Sequence, residues 1–257
     1  DAPAEVLHGL NVHVVGGIGA SEDTWTRCVV PLKSRSGAVE AVALAVPYVH
    51  EFRLGVRTTD PDQEVVRAQF RERFGRLYSH LADLAEARHP GLPIIATGHL
   101  TLGTEAKRED YPHEVHQVGT LEGLPVSILD PRIQYTALGH IHSSYPVGPE
   151  RKAWYSGSPV AFSLPEAASP GRVLQVDLDP DPTGKGKVHP IEVPSSRGLL
   201  ELRGAPDALL AMVRGLSWDH PLPPLLFCRA VTDSLGAGFT QSLHDALQSF
   251  EDDQRPC

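Results

Sequence analysis

The sequence predicts an α/β protein built in two parts. Three observations lead there. Short apolar segments closing on glycine recur through the first three quarters of the chain, and one long segment carries a helical apolar stripe. Beyond Pro194-Ser195-Ser196 the pattern turns to strand, helix, strand, helix. The 257 residues, 41% hydrophobic, suffice for a large domain with a small one beside it. We place the border so that the parts are 1–195 and 196–257.

The elements follow in order. Residues 10–19 (LNVHVVGGIG) read as a buried strand running into a glycine turn, with His13 as a core histidine inside it. Residues 27–32 (RCVVPL) and 38–49 (AVEAVALAVPYV) bracket the polar turn Lys33-Ser34-Arg35-Ser36-Gly37 and predict a hairpin. Asp60-Pro61 opens the clearest helix: Asp60 can cap, Pro61 suits the first turn, and Gln63 stands where a capping-box partner would. Val66, Phe70, Phe74, Leu77, Leu81 and Leu84 recur at spacings of three and four, so one helix face is buried, and Pro90-Gly91 ends it. Arg67, Arg71 and Arg76 fall on the other face, in solvent. Strands are expected at 93–99 (PIIATGH), 123–129 (GLPVSIL), 135–138 (YTAL), 152–159 (KAWYSGSP) and 172–179 (RVLQVDLD), with a turn at 180–186 (PDPTGKG). The second part contributes GLLELRG, DALLAMVRGL, PLLFCRAVTD and FTQSLHDALQSF.

Composition narrows the function. A net charge of −9 argues against a chain that holds nucleic acid by overall charge, while leaving room for local basic patches. Cys28, Cys228 and Cys257 have neither disulfide nor metal spacing, which suits a reducing cytoplasm. No apolar run of about 18 residues and no signal-peptide pattern occurs, so no membrane is expected. Asp1 opens the chain and Met212 is its one methionine, which suggests a processed or incomplete product.

The chemistry gathers at ALGHIHSS. Fewer than one His-x-His pair is expected by chance among thirteen histidines, so His140 and His142 prove little alone. On an extended chain, however, residues i and i+2 face the same side, so both rings can address one point. Gly139 allows close approach of the backbone to a ligand. His99 also follows a glycine at the end of an apolar strand, so ATGH and ALGH can set their tips side by side. Three imidazoles then make the ligand count of an open catalytic site. Other candidates carry less. His113 and His116 lack the spacing of a zinc-protease helix, and Ser158 is not in a nucleophile elbow. Lys107-Arg108 and Arg151-Lys152 are loop charges.

At ATGHLTLGTEAKRED, HQVGTLEGLPVSIL, YTALGHIHSSYPV and WYSGSPVAFSLPEA the chain resembles the SbcD family, the nuclease component of bacterial SbcCD, within the calcineurin-like metallophosphoesterases. The resemblance runs from about residue 8 to near the end. It implies a metallophosphoesterase-like mixed β-sandwich flanked by helices, plus the start of a small α/β capping domain. It implies a DNA exonuclease and endonuclease of DNA repair and recombination, working with two Mn²⁺ ions. The implied partners are DNA, an SbcC-like SMC ATPase and a second copy of the chain, in the cytoplasm. By position, His99 and His140 would bind one metal and His142 the other. The family's D-x-H, G-D and G-N-H-D motifs, with the bridging aspartate and the catalytic histidine, do not occur in this sequence. Imidazoles alone suit zinc better than manganese, and two dications without carboxylates repel. This chain alone is therefore expected not to assemble the two-metal site. Two alternatives stay open: a non-catalytic module docking on the ATPase, and a mononuclear zinc hydrolase using the three histidines.

Overall fold

In the computed structural model, the described residues are 7, 9–10, 12–19, 21–56, 62–103, 123–234, 236, 238–250 and 255–256. The fold is α/β, and the chain divides into two compact units. One comprises Asp1–Gly157 and Leu174–Ile191, the other Ser158–Val173 and Glu192–Cys257.

The first unit is organised by a six-stranded mixed sheet. Strand β1 (Val29–Lys33) pairs antiparallel with β2 (Val39–Leu44) across the predicted polar turn, where Gly37 takes the positive φ of +88°. Strands β3 (Ile94–His99), β4 (Ile133–Gly139), β5 (Tyr145–Val147) and β6 (Ala153–Tyr155) complete the sheet in the order β1-β2-β3-β4-β6-β5. The pairs β2–β3, β3–β4 and β4–β6 are all parallel, so four strands bring their carboxyl ends to one edge. That edge is where open α/β sheets place their chemistry.

Helix α1 (Gln63–Arg88) buries the stripe the spacing predicts. Val66, Phe70, Phe74, Leu77 and Leu81 are buried, joined by Tyr78, Ala82 and Ala85, while Leu84 is half-buried. These side chains share one core with Val42 and Leu44 of β2 and Ile94 and Ala96 of β3. The helix starts two residues later than the sequence suggests. Asp62 is the N-cap, in extended geometry, and its carboxylate accepts a hydrogen bond from Glu64 N at 2.9 Å. Asp60 and Pro61 lie outside the described residues. Arg71 and Arg76 are exposed as expected, paired with Glu64 and Glu22, whereas Arg67 is half-buried beside Glu64.

Two expected strands do not form. Residues 12–19 are irregular, with Val12 and Val14 exposed and His13 exposed rather than in the core. An apolar run becomes a strand only when a neighbour takes up its backbone groups, and among the described residues no ladder reaches this one. The 123–129 segment makes one isolated bridge, Leu102 to Leu124, then turns into a short 3-10 helix at Val126–Ile128. Pro125 has no N–H to continue a ladder.

Strands β7 (Gly171–Asp177) and β8 (Lys187–Val193) pair as a separate ribbon. The 180–186 turn between them is tied to β4: Gln134, 1% exposed, donates to Asp179 O at 3.0 Å and Asp181 O, and accepts from Asp179 N. The second unit carries β9 (Arg197–Gly204), α2 (Pro206–Arg214), β10 (Leu222–Ala230) and α3 (Phe239–Gln248), in the predicted order. The two strands are parallel, and Leu209, Val213 and Ala246 are buried on the helices. Among the described residues, no helix is long and apolar enough to cross a membrane.

Candidate functional site

The site lies at the carboxyl edge of β3 and β4. Their register sets His99 opposite Gly139, so the residue after Gly139 turns back toward His99. The two imidazole centroids stand 5.3 Å apart, with planes at 64°. His99 is exposed and His140 half-buried, so the pair is reachable from solvent.

Glycine makes this contact possible, for a reason different from the expected ligand approach. A Cβ on Gly139 would stand 3.0 Å from His99 Nδ1, so the missing side chain makes room for the neighbouring ring. Gly157 does the same one strand further on. It has φ +74°, and a Cβ there would meet His142 O at 2.5 Å and Ser144 N at 2.9 Å. The Tyr155-Ser156-Gly157 end of β6 therefore packs on the backbone of 142–144. ATGH, ALGHIH and YSG, separate in sequence, thus lie side by side at this edge of the sheet.

His140 carries backbone strain. Its φ is +94°, a conformation rare for a side-chain-bearing residue and recurrent at functional sites. The β4–β3 pairing before it and buried Ile141 after it hold the turn in place.

Three further side chains pin the backbone around His99, and none of them stands out in the sequence. The Tyr155 hydroxyl, on a fully buried ring, donates to Leu100 O and accepts from Leu102 N, both at 2.7 Å. Tyr78 on α1 donates to Thr97 O at 3.0 Å, passing through the space that Gly98 leaves open. Thr97 Oγ1 donates to Val46 O at 2.8 Å, tying β3 to the segment after β2. Burial raises the Tyr155 hydroxyl to about 12, partly opposed by the Leu102 N–H bond, and raises Tyr78 further. Both stay protonated, and hence able to donate, throughout the neutral range. From the segment after β2, Tyr48 sets its ring edge-on to His99 at 5.9 Å.

The donor set decides what the site can hold. Among the described residues, no group of three or more His, Cys, Asp or Glu is arranged to hold a metal ion. His142, on the exposed turn beyond Ile141, does not join His99 and His140 in such a group. Asp130, a buried carboxylate, sits before the opposite end of β4 from His140, about 20 Å away along a seven-residue strand. It is committed there to Arg132 by bonds of 2.8 and 2.9 Å. The described residues thus supply a convergent imidazole pair, and on their own do not fit a pair of manganese ions, which need bridging oxygen ligands. His113, His116, Lys107 and Arg108 lie outside the described residues.

No family model matches the chain. Curated relatives do. The SbcD component of nuclease SbcCD from Rhodobacter capsulatus is 27% identical over 266 residues, covering 97% of this chain and 62% of that protein. Its counterpart of the same name in Escherichia coli K12 is 28% identical over 228 residues, covering 85% of this chain and 53% of that protein. The chain is similar to SbcD-type nucleases along most of its length. It spans less than two thirds of each of these relatives, so the similarity bears on a part of a nuclease subunit.

Proposed function

We propose that this chain is part of the SbcD component of an SbcCD-like nuclease, a metal-dependent phosphodiesterase that hydrolyses DNA in repair and recombination. The observation that carries the reading is the His99–His140 pair, held at the carboxyl edge of adjacent parallel strands inside a segment similar to named nuclease subunits. In this reading the six-stranded sheet is one layer of a metallophosphoesterase-like sandwich. His99 and His140 serve one ion and His142 a second. Carboxylates from outside the described residues complete the Mn²⁺ site, and the chain alone does not cleave. An SbcC-like SMC ATPase is the partner, and the complex works in the cytoplasm.

The test uses linear duplex DNA with Mn²⁺. The chain alone leaves the duplex intact. Adding the portion of the Rhodobacter capsulatus relative that the match leaves uncovered restores cleavage, and His142→Ala or His99→Ala abolishes it. Intact duplex after complementation, or cleavage indifferent to both substitutions, removes the proposal.

A further inference from the structure

The segment after β2 sorts its side chains by type. Val46, Val49, Leu54 and Val56 are buried in the first unit's core. Between them Tyr48 and Phe52 are 56% and 58% exposed, and His50 is exposed as well. Aliphatic residues anchor the segment and rings face outward. The short 3-10 turn Glu51–Leu54 fixes this arrangement, with Arg53 N donating to His50 O at 2.9 Å and Gly55 closing it at φ +68°.

The rings form a continuous row. Phe52 and His50 have centroids 4.6 Å apart and are tilted by 47°, while Tyr48 stands edge-on to His50 at 6.5 Å and to His99 at 5.9 Å, so each ring presents its own face. The row therefore runs from an exposed phenylalanine to the imidazole pair. Arg53 sets its guanidinium 4.9 Å from the Phe52 ring centre, beside the end of the row away from the histidines.

We propose that this row is a stacking platform for the unpaired bases of a DNA strand, leading the strand's backbone to His99 and His140. The proposal rests on the DNA reading above and names residues for the substrate that nothing in that reading assigns. The chemistry fits in three ways. Unpaired bases offer flat π-faces to aromatic side chains in succession, whatever their sequence. Arg53 adds a cation next to a ring, the combination that also meets phosphates. Stacking does not depend on net positive charge, which this acidic chain lacks as a whole.

The experiment measures binding of fluorescein-labelled oligothymidine and of a blunt duplex of equal length to the 257-residue chain. EDTA is present, so no metal is required. An oligonucleotide carrying 2-aminopurine reports stacking directly through its fluorescence. Phe52→Ala and Tyr48→Ala should each weaken single-strand binding by about tenfold and release the 2-aminopurine quenching. Phe52→Trp should preserve both, and duplex binding should stay constant across the series. Single-strand binding that is undetectable in the parent chain, unchanged by Phe52→Ala, or lost in step with duplex binding overturns the proposal. The two readings fail separately. Single-strand binding without cleavage after complementation keeps the platform and removes the hydrolase. Cleavage with Phe52→Ala binding like the parent removes the platform and keeps the hydrolase.

Discussion

Replacing Tyr155 with phenylalanine tests whether the backbone around His99 is held from behind. The substitution deletes one oxygen from a fully buried ring and leaves its shape intact, so packing contributes little to the outcome. Two partners lose their bonds. Leu102 N–H belongs to a residue 2% exposed and finds no water, while Leu100 is half-buried and its carbonyl can recruit some. A buried polar group left unmatched costs about 1–3 kcal/mol, so Leu102 dominates and the sum is about 2–4 kcal/mol. For a chain of this size that lowers the melting temperature by about 5–10 °C. The local signature is sharper. The Leu102 amide, bonded at 2.7 Å in the parent, should exchange with solvent at least tenfold faster in Tyr155→Phe, followed by NMR hydrogen exchange. A melting temperature within a degree of the parent, with Leu102 exchange unchanged, would refute the reasoning that this hydroxyl organises 100–102.

The same hydroxyl predicts an alkaline limit. Its folded-state value of about 12 lies above the unfolded value near 10, so its contribution is complete below pH 10 and is lost as pH rises toward 12. Urea denaturation at increasing pH should show stability falling across that window, less steeply in Tyr155→Phe; a flat profile contradicts it. At acid pH, Asp130 acts in the opposite sense. Burial pushes its carboxyl up, but the Arg132 hydrogen bonds outweigh this and hold it below the usual range. Stability should therefore drop as pH falls below about 4, and Asp130→Asn should make that drop shallower in an acid titration followed by circular dichroism. Relief of the φ at His140 should let His140→Gly keep or exceed parental stability by up to about 1 kcal/mol, whereas His140→Val loses about 2 kcal/mol or more. Equal losses in guanidinium melts of the two variants would count against backbone strain there. Asp62→Ala should cost about 1 kcal/mol through the lost helix cap, read from the same melts.

Much of the architecture was legible because it is local. The stripe from Val66 to Leu81 needs only helical spacing, and the hairpin of β1 and β2 needs two apolar runs around a polar turn. The meeting of His99 and His140 was legible because two strands end in the same glycine–histidine pair. What escaped depends on partners distant in sequence. Val12 and Val14 look like a strand, yet an apolar run cannot announce whether another chain segment pairs with it. Tyr78, Tyr155 and Thr97 read as ordinary core and strand residues, since their hydroxyls acquire meaning only where the backbone of 97–102 passes. Gly139 was legible as special, though the room it makes is for an imidazole. The left-handed backbone of His140 left no mark, because nothing distinguishes that histidine from its neighbour His142 by type.

The register between β3 and β4 also sets when the imidazole pair comes into being. The two histidines are separated by roughly forty residues and meet only after a parallel pairing that closes the intervening chain. Such pairings form slowly, because the entropy of loop closure precedes the contacts that reward it. The β1–β2 hairpin and the α1 helix, by contrast, need only neighbours close in sequence. Until that pairing closes, the two imidazoles belong to separate stretches of chain. In a chain still emerging from the ribosome the pair does not yet exist, and the 5.3 Å approach of the two rings appears together with the tertiary structure.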